Sequence, residues 1–192
     1  MIITMRVDGE ATRERILLAA GHEFAEFGLA GARVDRIAAA ANASKERLYA
    51  YFGDKRALFE AVLTGHVDEV TESIPVDAND LPGFVGRIFD FAREHPEHFR
   101  MMDWARLGGD FDLLPGIPVP VVERDAAAIR AAQAGGRIDP GWEPGDLVAL
   151  LFSIATSQGQ AGQIGGQRDD SPEAVARQRA SVVRAAEKLI AP

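Results

Sequence analysis

The spacing of apolar residues between positions 33 and 52 predicts two short helices joined by a turn. The first helix has an apolar stripe made of Val34, Ile37, Ala38 and Ala41. Spacings of three, one and three residues place such side chains on one face of a helix. The second helix has Leu48 and Phe52 four residues apart, which again gives it one apolar side.

The residues between these two stripes favour a sharp turn. Asn42 follows the first stripe, and asparagine tolerates the left-handed backbone conformation that a tight turn requires. Ser44 is expected to cap the second helix by accepting a hydrogen bond from a backbone N–H. We therefore predict a helix-turn-helix pair over residues 33–56.

Apolar spacing and breaker residues predict helices in the rest of the chain and no strand. The first helix is expected from Thr12, as its N-cap, to Phe27, with Gly28 ending it and residues 1–8 frayed. Further helices are expected at about residues 54–73, 84–95, 99–107, 121–134, 147–154 and 172–190. The predicted fold is all-α, with an N-terminal three-helix head followed by a C-terminal helical bundle.

Composition and charge narrow the possible classes of protein. The chain has no Cys, which excludes disulfides and thiolate chemistry, and no run of 18 apolar residues, so we expect a soluble, cytoplasmic protein. The net charge is −8, yet residues 1–60 hold nine cations and nine anions, so the whole excess lies in the rest of the chain. This asymmetry favours two functional parts, which we place at residues 1–55 and 56–192.

The second helix of the pair has side chains suited to DNA. Residues 33–56 carry a net charge of +3, and Lys45 and Arg47 lie in the first turn of the second helix. The N-terminal turn of a helix in the major groove usually makes the base contacts. Tyr49 and Tyr51 offer hydroxyls to phosphate, and Lys55 would meet the sugar–phosphate backbone. The alternative is an ordinary helical hairpin with solvated charges.

The order of residues favours the first interpretation. The run SKERLYAYFGDKRALFEAVL resembles the DNA-binding signature of the TetR family of transcriptional repressors, and the resemblance is specific over about residues 12–63. It implies a recognition helix capped by Ser, a Leu-Tyr pair, a later aromatic pair and a Lys that opens the fourth helix. The residues expected to bind DNA are Arg33, Ser44, Lys45, Glu46, Arg47, Tyr49, Tyr51 and Lys55.

Three positions depart from the family pattern. Asn42 replaces the usual turn Gly, and Glu46 replaces a small residue. The Thr that often caps the second helix is absent, so Arg33 is expected to take over the phosphate contact while the capping bond is lost. Glu46 is expected to accept from a cytosine amino group or to pair with a nearby cation. These changes bear on the operator sequence.

The resemblance also implies what the second part does. In the family, the last two long helices form a four-helix dimer interface, and the helices near residues 145–162 and 172–190 fit that role. A dimer suits recognition of palindromic double-stranded DNA. The alternative is that both helices complete a monomer core.

The resemblance further implies a small-molecule pocket in the C-terminal bundle. The residues expected to line it are Phe99, Met101, Met102, Trp104 and Phe111. Aromatic and Met side chains suit apolar ligands, although at helical spacing they are equally suited to a plain core. The identity of the ligand is unknown.

Other sites are weaker. His95 and His98 are three residues apart, which makes a metal site conceivable, but His residues near a helix start are more often polar caps. No catalytic grouping is evident, so we expect a non-enzyme without cofactor or metal. The rival hypothesis is a helical small-molecule-binding or scaffolding protein that has lost specific DNA binding, and a helical enzyme is a remote third.

Overall fold

The computed structural model describes residues 2–160 and 169–192, and within them the chain forms nine α-helices, one 3-10 helix and no strand. The α-helices are α1 (Ile2–Gly31), α2 (Val34–Ala40), α3 (Lys45–Phe52), α4 (Lys55–Ser73), α5 (Leu81–Glu94), α6 (Pro96–Gly108), α7 (Val119–Ala134), α8 (Pro144–Gln160) and α9 (Pro172–Ile190). The 3-10 helix covers Phe111–Leu113. The predicted all-α fold is confirmed.

The ends of α1 differ from the prediction in one respect. The helix begins at Ile2, so Thr12 is not its N-cap: Thr12 is buried, and its hydroxyl accepts a hydrogen bond from Arg15. Gly28 interrupts the helix as expected, because its φ of 64° is left-handed, and a short helical stretch follows the kink. The interruption was predictable because glycine favours such a conformation. The helix before Thr12 was not predicted because that stretch shows no apolar stripe.

The chain divides into two compact units. The first unit comprises Met1–Glu69 and Pro96–Gly116, and thus α1–α3, most of α4, and α6. Its core is built from apolar side chains of these helices, among them Ile16, Phe24, Ile37, Leu48, Leu58, Phe59 and Met101. The rings of Phe24 and Phe59 pack edge to face, with centroids 4.9 Å apart. This core holds α2 and α3 against the longer helices.

The second unit comprises Val70–His95 and Ile117–Pro192. Within it, α5 packs against both α8 and α9 through one apolar face. The buried residues of α5 are Leu81, Phe84, Val85, Gly86, Ile88, Phe89 and Phe91. Arg179 of α9 binds both carboxylate oxygens of Asp90 at 2.8 and 2.9 Å, which fixes the register of α9 on α5.

The two compact units are defined by which residues pack together. The predicted division at residue 55 is a division by function, and it stays a prediction. None of the helices that the structure describes is long and apolar enough to span a bilayer.

Candidate nucleic-acid interface

The helix-turn-helix pair has the predicted local geometry. Asn42 adopts the left-handed conformation with a φ of 49°, the only non-glycine residue in the described part of the chain to do so. The Ser44 hydroxyl oxygen accepts a hydrogen bond from the Arg47 N–H at 3.2 Å, which satisfies one of the free donors at the start of α3. Both predictions are confirmed, because turn and cap depend on local chemistry alone.

One side of α3 is buried and the other faces solvent. Leu48 is fully buried and Phe52 is nearly so. The side chains expected to meet DNA on this helix are exposed, namely Lys45, Glu46, Arg47 and Tyr49. Helix α3 therefore presents a polar and aromatic face of the kind that a major groove accepts.

Two of the expected cations have protein partners. Lys45 forms an ion pair with Asp35 of α2, but both side chains are more than half exposed. Exposed pairs of this kind contribute little to stability, so a phosphate can replace Asp35 as the partner. The Lys55 ammonium donates to the carbonyls of Ala30 and Ala32 at 3.4 and 3.2 Å. Lys55 therefore satisfies carbonyls at the end of α1 in addition to its expected contact with DNA.

Glu46 lies over the first turn of α3. Its carboxylate accepts hydrogen bonds from its own backbone N–H and from the Ser44 hydroxyl, and these bonds lower the pKa of Glu46. An anion therefore lies at the helix end where a phosphate would be favoured. The positive charge of the neighbouring Lys45 also acts to lower the pKa of Glu46, and the predicted contact with a cytosine amino group stays a prediction.

Tyr51 differs from the other expected contacts because its ring is half-buried. Its hydroxyl donates to the Gly9 carbonyl of α1 at 2.9 Å. The hydroxyl proton is therefore used within the protein, and a phosphate contact would have to replace this bond.

The start of α2 is capped by a residue that sequence reasoning missed. Arg33 makes no side-chain cap of its own, as expected, but its N–H donates to the Glu23 carboxylate at 2.8 Å. The Arg36 guanidinium binds the same carboxylate through Nε at 2.8 and 2.9 Å and lies over the Phe27 ring. No local pattern reveals Glu23, because its partners lie 10 and 13 residues along the chain.

The Glu23 carboxylate is buried, and burial acts to raise its pKa. The hydrogen bonds from the Arg36 guanidinium and the Arg33 N–H outweigh that effect, so the pKa of Glu23 lies below its ordinary value. Glu23 is therefore an ionised anchor that joins α1 to α2, the helix that braces α3.

Comparison with known protein families identifies the same helix-turn-helix region. Residues 16–62 match the model described as bacterial regulatory proteins, TetR family, and residues 80–188 match the tetracyclin repressor-like C-terminal domain. The chain belongs to the TetR family. This TetR-family protein is thus a DNA-binding transcriptional regulator.

Individual relatives cover most of the TetR-family chain. The HTH-type transcriptional repressor SCO4008 of Streptomyces coelicolor is 40% identical over 150 residues, which cover 77% of this chain and 78% of that protein. The crystal structure of SCO4942 from the same species is 38% identical, covers 93% of this chain and 98% of its own, and has a TM-score of 0.79. Salmonella enterica GusR shares the fold at 20% identity, with a TM-score of 0.70 over 93% and 95% of the two chains.

The residues expected to line a ligand pocket lie on α6 or just after it. Met101 is fully buried in the core of the first unit. Trp104 donates from its indole nitrogen to the Ala25 carbonyl at 3.2 Å, and a Cβ on Gly28 would lie 2.8 Å from its ring. Phe99 and Met102 are half-buried, and the side chain of Phe111 lies outside the described residues. Met101 and Trp104 therefore pack α6 on α1 of this TetR-family protein.

His98 is not the polar cap that sequence reasoning favoured. It is buried, and its ring stacks on that of His66 from α4, with centroids 3.6 Å apart and an interplanar angle of 22°. Its Nε2 lies 3.7 Å from the Glu69 carboxylate. His98 thus belongs to the contact between α4 and α6.

Proposed function

We propose that this protein is a repressor that binds a palindromic operator as a homodimer and leaves it when a small molecule binds. The observation that carries the proposal is the exposed face of α3, with Arg47 and Tyr49 on a helix that Ser44 caps and Leu48 and Phe52 anchor. A short helix held in this way is suited to enter a major groove. The name of the relative SCO4008 supports repression.

Dimerisation is supported by apolar side chains of α8 that stay partly exposed in the protomer. Leu147, Leu151 and Ala155 recur every four residues and are buried inside the protomer. Leu150 and Ile154 lie beside this stripe on α8, where Leu150 is 39% exposed and Ile154 is half-buried. Leu150 is 39% exposed, so burying the rest of its side chain would yield about 1 kcal/mol, which favours a partner there. We propose that α8 and α9 form the dimer interface. They correspond to the helices predicted near residues 145–162 and 172–190. The stretch 161–168 lies outside the described residues.

Release by a ligand would be a shift between two populations. A ligand lowers operator affinity only by the difference in its affinity for the two states. Helix α4 starts at the DNA-binding head and continues past residue 69 into the second unit, so it provides a continuous route for such a change. The ligand is proposed to be a small apolar molecule, and pocket roles for Phe99, Met101, Met102, Trp104 and Phe111 remain predictions. Binding to chromosomal DNA would place the protein in the cytoplasm.

The first test is selection of bound DNA from a random pool, followed by sequencing. Enrichment of a palindrome is the expected result. Absence of any enriched sequence at moderate salt would instead favour the rival hypothesis of a helical binding or scaffolding protein without specific DNA binding.

Two substitutions then test the assigned face. Arg47→Ala is expected to weaken binding by about 1–3 kcal/mol and to relax the preference at one base position. Lys55→Ala is expected to weaken all sequences alike and to reduce the slope of log affinity against log salt by about one. Arg100→Ala, an exposed cation on α6, is the matched control. Unchanged operator affinity in both variants would refute the assignment of α3 as the recognition helix.

The dimer is tested separately by sedimentation equilibrium. Leu150→Glu is expected to shift the protein toward the monomer and to lower operator affinity with it, because a monomer reads only a half-site. Leu18→Glu is the control, since Leu18 is 66% exposed on α1. Equal dissociation constants for both variants would contradict an interface on α8.

A further inference from the structure

Residues 9–15 of α1 contact α3 and the turn that joins α2 to α3. These contacts come from residues 9–15, which precede the residues 16–62 that match the family's N-terminal model. They are therefore a feature of this chain that the family match does not cover. Two of the contacts are hydrogen bonds from a side chain to a backbone carbonyl, and the third places an Arg guanidinium near an aromatic ring.

The last turn of α3 is tied to α1 by Tyr51 and Phe52. The Tyr51 hydroxyl donates to the Gly9 carbonyl at 2.9 Å, across 42 residues of sequence. Gly9 allows this approach, because a Cβ at that position would lie 3.3 Å from the hydroxyl oxygen. The Arg13 guanidinium lies 5.4 Å from the centre of the Phe52 ring, a distance at which a cation and a ring attract each other.

The turn between α2 and α3 is tied to α1 by Arg15. Its Nε donates to the Ala41 carbonyl at 3.2 Å, and a terminal nitrogen donates to the Thr12 hydroxyl at 2.9 Å. Ala41 is the C-cap residue of α2 and comes directly before left-handed Asn42. Carbonyls at a helix C-terminus lack internal donors, and a cation there is favourable. Arg15 therefore supplies the donor that holds the turn.

These contacts matter because α3 has few others. It is eight residues long, and its buried side chains are Leu48 and Phe52. Residues four apart lie along one line of a helix, and contact along one line resists rotation about the helix axis less than contact on both sides of that line. Tyr51 lies to one side of that line. A binding group must be held within about 0.5 Å and 10–20° of its productive position, so a small roll is enough to impair base contacts.

We propose that Tyr51 and Arg15 are positioning residues that set the orientation of the recognition helix by docking it on residues 9–15 of α1. Tyr51 then acts in operator binding through Gly9, without touching DNA. This inference rests on the proposed operator binding.

The test compares Tyr51→Phe with Tyr49→Phe in the full chain. Tyr49 lies two residues earlier on α3 and is 43% exposed, so the two variants lose the same hydroxyl in different surroundings. Without DNA, Tyr51→Phe is expected to lower the melting temperature and to speed amide hydrogen exchange in residues 9–15. Tyr49→Phe is expected to change neither quantity.

With DNA, Tyr51→Phe is expected to weaken binding to the selected operator about fivefold, the equivalent of one hydrogen bond. Its affinity for an unrelated duplex and its salt slope should stay at wild-type values, since the number of neutralised phosphates is the same. Arg15→Lys keeps the charge but loses the two-pronged geometry, and it should show the same selective loss.

Three results would distinguish a positioning role of Tyr51 from direct contact with DNA, from a contact that only stabilises the fold, and from a failure of operator binding itself. Weaker operator binding by Tyr51→Phe, with unchanged melting and exchange, would mean that Tyr51 touches DNA and would overturn the proposal. Changed melting with unchanged operator affinity would also overturn it, since the contact would then only stabilise the fold. If the wild type enriches no sequence, operator binding itself fails, while the exchange difference between the two variants still reports whether docking occurs.

Discussion

Replacement of Glu23 is the sharpest test of how the DNA-binding head is held together. Its carboxylate caps the start of α2 through the Arg33 N–H and binds the Arg36 guanidinium. Losing an N-cap costs about 1 kcal/mol, and losing a pair whose cation is 42% exposed costs about 1 kcal/mol more. Glu23→Ala should therefore lower the free energy of unfolding by about 2 kcal/mol. Glu23→Gln should lower it by about half as much, because an amide oxygen still accepts from Arg33.

The assay is thermal unfolding followed by circular dichroism, with urea unfolding as a second measure. For a chain of this size, 1 kcal/mol corresponds to roughly 2–4 °C, so Glu23→Ala should melt about 4–8 °C below the wild type. Glu26→Ala is the control, since Glu26 is an exposed carboxylate on the same helix. Equal melting of Glu23→Ala and Glu26→Ala would refute the capping role.

The difference in the free energy of unfolding between the wild type and Glu23→Gln is expected to depend on pH. The pKa of Glu23 is lower in the folded state than its ordinary value, so its contribution is fully present above an unfolded-state pKa of about 4.3. The contribution is lost as the pH falls through the folded-state value, where the carboxyl becomes protonated. The difference between wild type and Glu23→Gln should therefore shrink in acid. A difference that stays constant to pH 3 would contradict the ionised anchor.

Three further predictions follow from close contacts of the first unit. Gly28→Ala should lower the melting temperature, because its Cβ would lie 2.8 Å from the Trp104 ring at a left-handed φ of 64°; a wild-type melting temperature would contradict that packing. Arg56→Gln should speed hydrogen exchange in residues 109–113, since Arg56 binds Asp110 and Asp112 at 2.7 and 2.6 Å; unchanged exchange would mean that these ion pairs do not hold the segment. Glu46→Gly should raise affinity for an unrelated duplex in fluorescence anisotropy, because an anion leaves the start of α3; a fall in operator affinity would instead show that Glu46 reads a base or orders Arg47.

The elements that the sequence predicted well depend on nearby residues. The turn at Asn42, the cap at Ser44 and the buried pair Leu48 and Phe52 all follow from chemistry within a few positions. The same is true of the last helix, where the Ser171 hydroxyl accepts from the Ala174 N–H at 3.3 Å. The order of residues in the run that begins at Ser44 also showed the resemblance to the family. Fold class and the exposed face of α3 were therefore accessible from the sequence.

The contacts that join α1 to α3, to the turn before α3 and to α6 were not accessible, because their partners are far apart along the chain. Arg15 meets Ala41 across 26 residues, Tyr51 meets Gly9 across 42, and Trp104 meets Ala25 across 79. Each of these contacts joins a side chain to a backbone carbonyl, and a carbonyl has no side-chain identity that a pattern could reveal.

The sequence by itself thus determined which side of α3 is buried and which is exposed. Helical periodicity decides which side of α3 is apolar, and that is a local property. Only the tertiary structure decided how firmly and at what angle the helix is held, since hydrogen bonds to Gly9, Ala41 and Glu23 form after the helices pack. The structure adds a partner within the protein for Tyr51 and for Trp104, namely the carbonyls of Gly9 and Ala25, and the predicted roles of both side chains stay predictions.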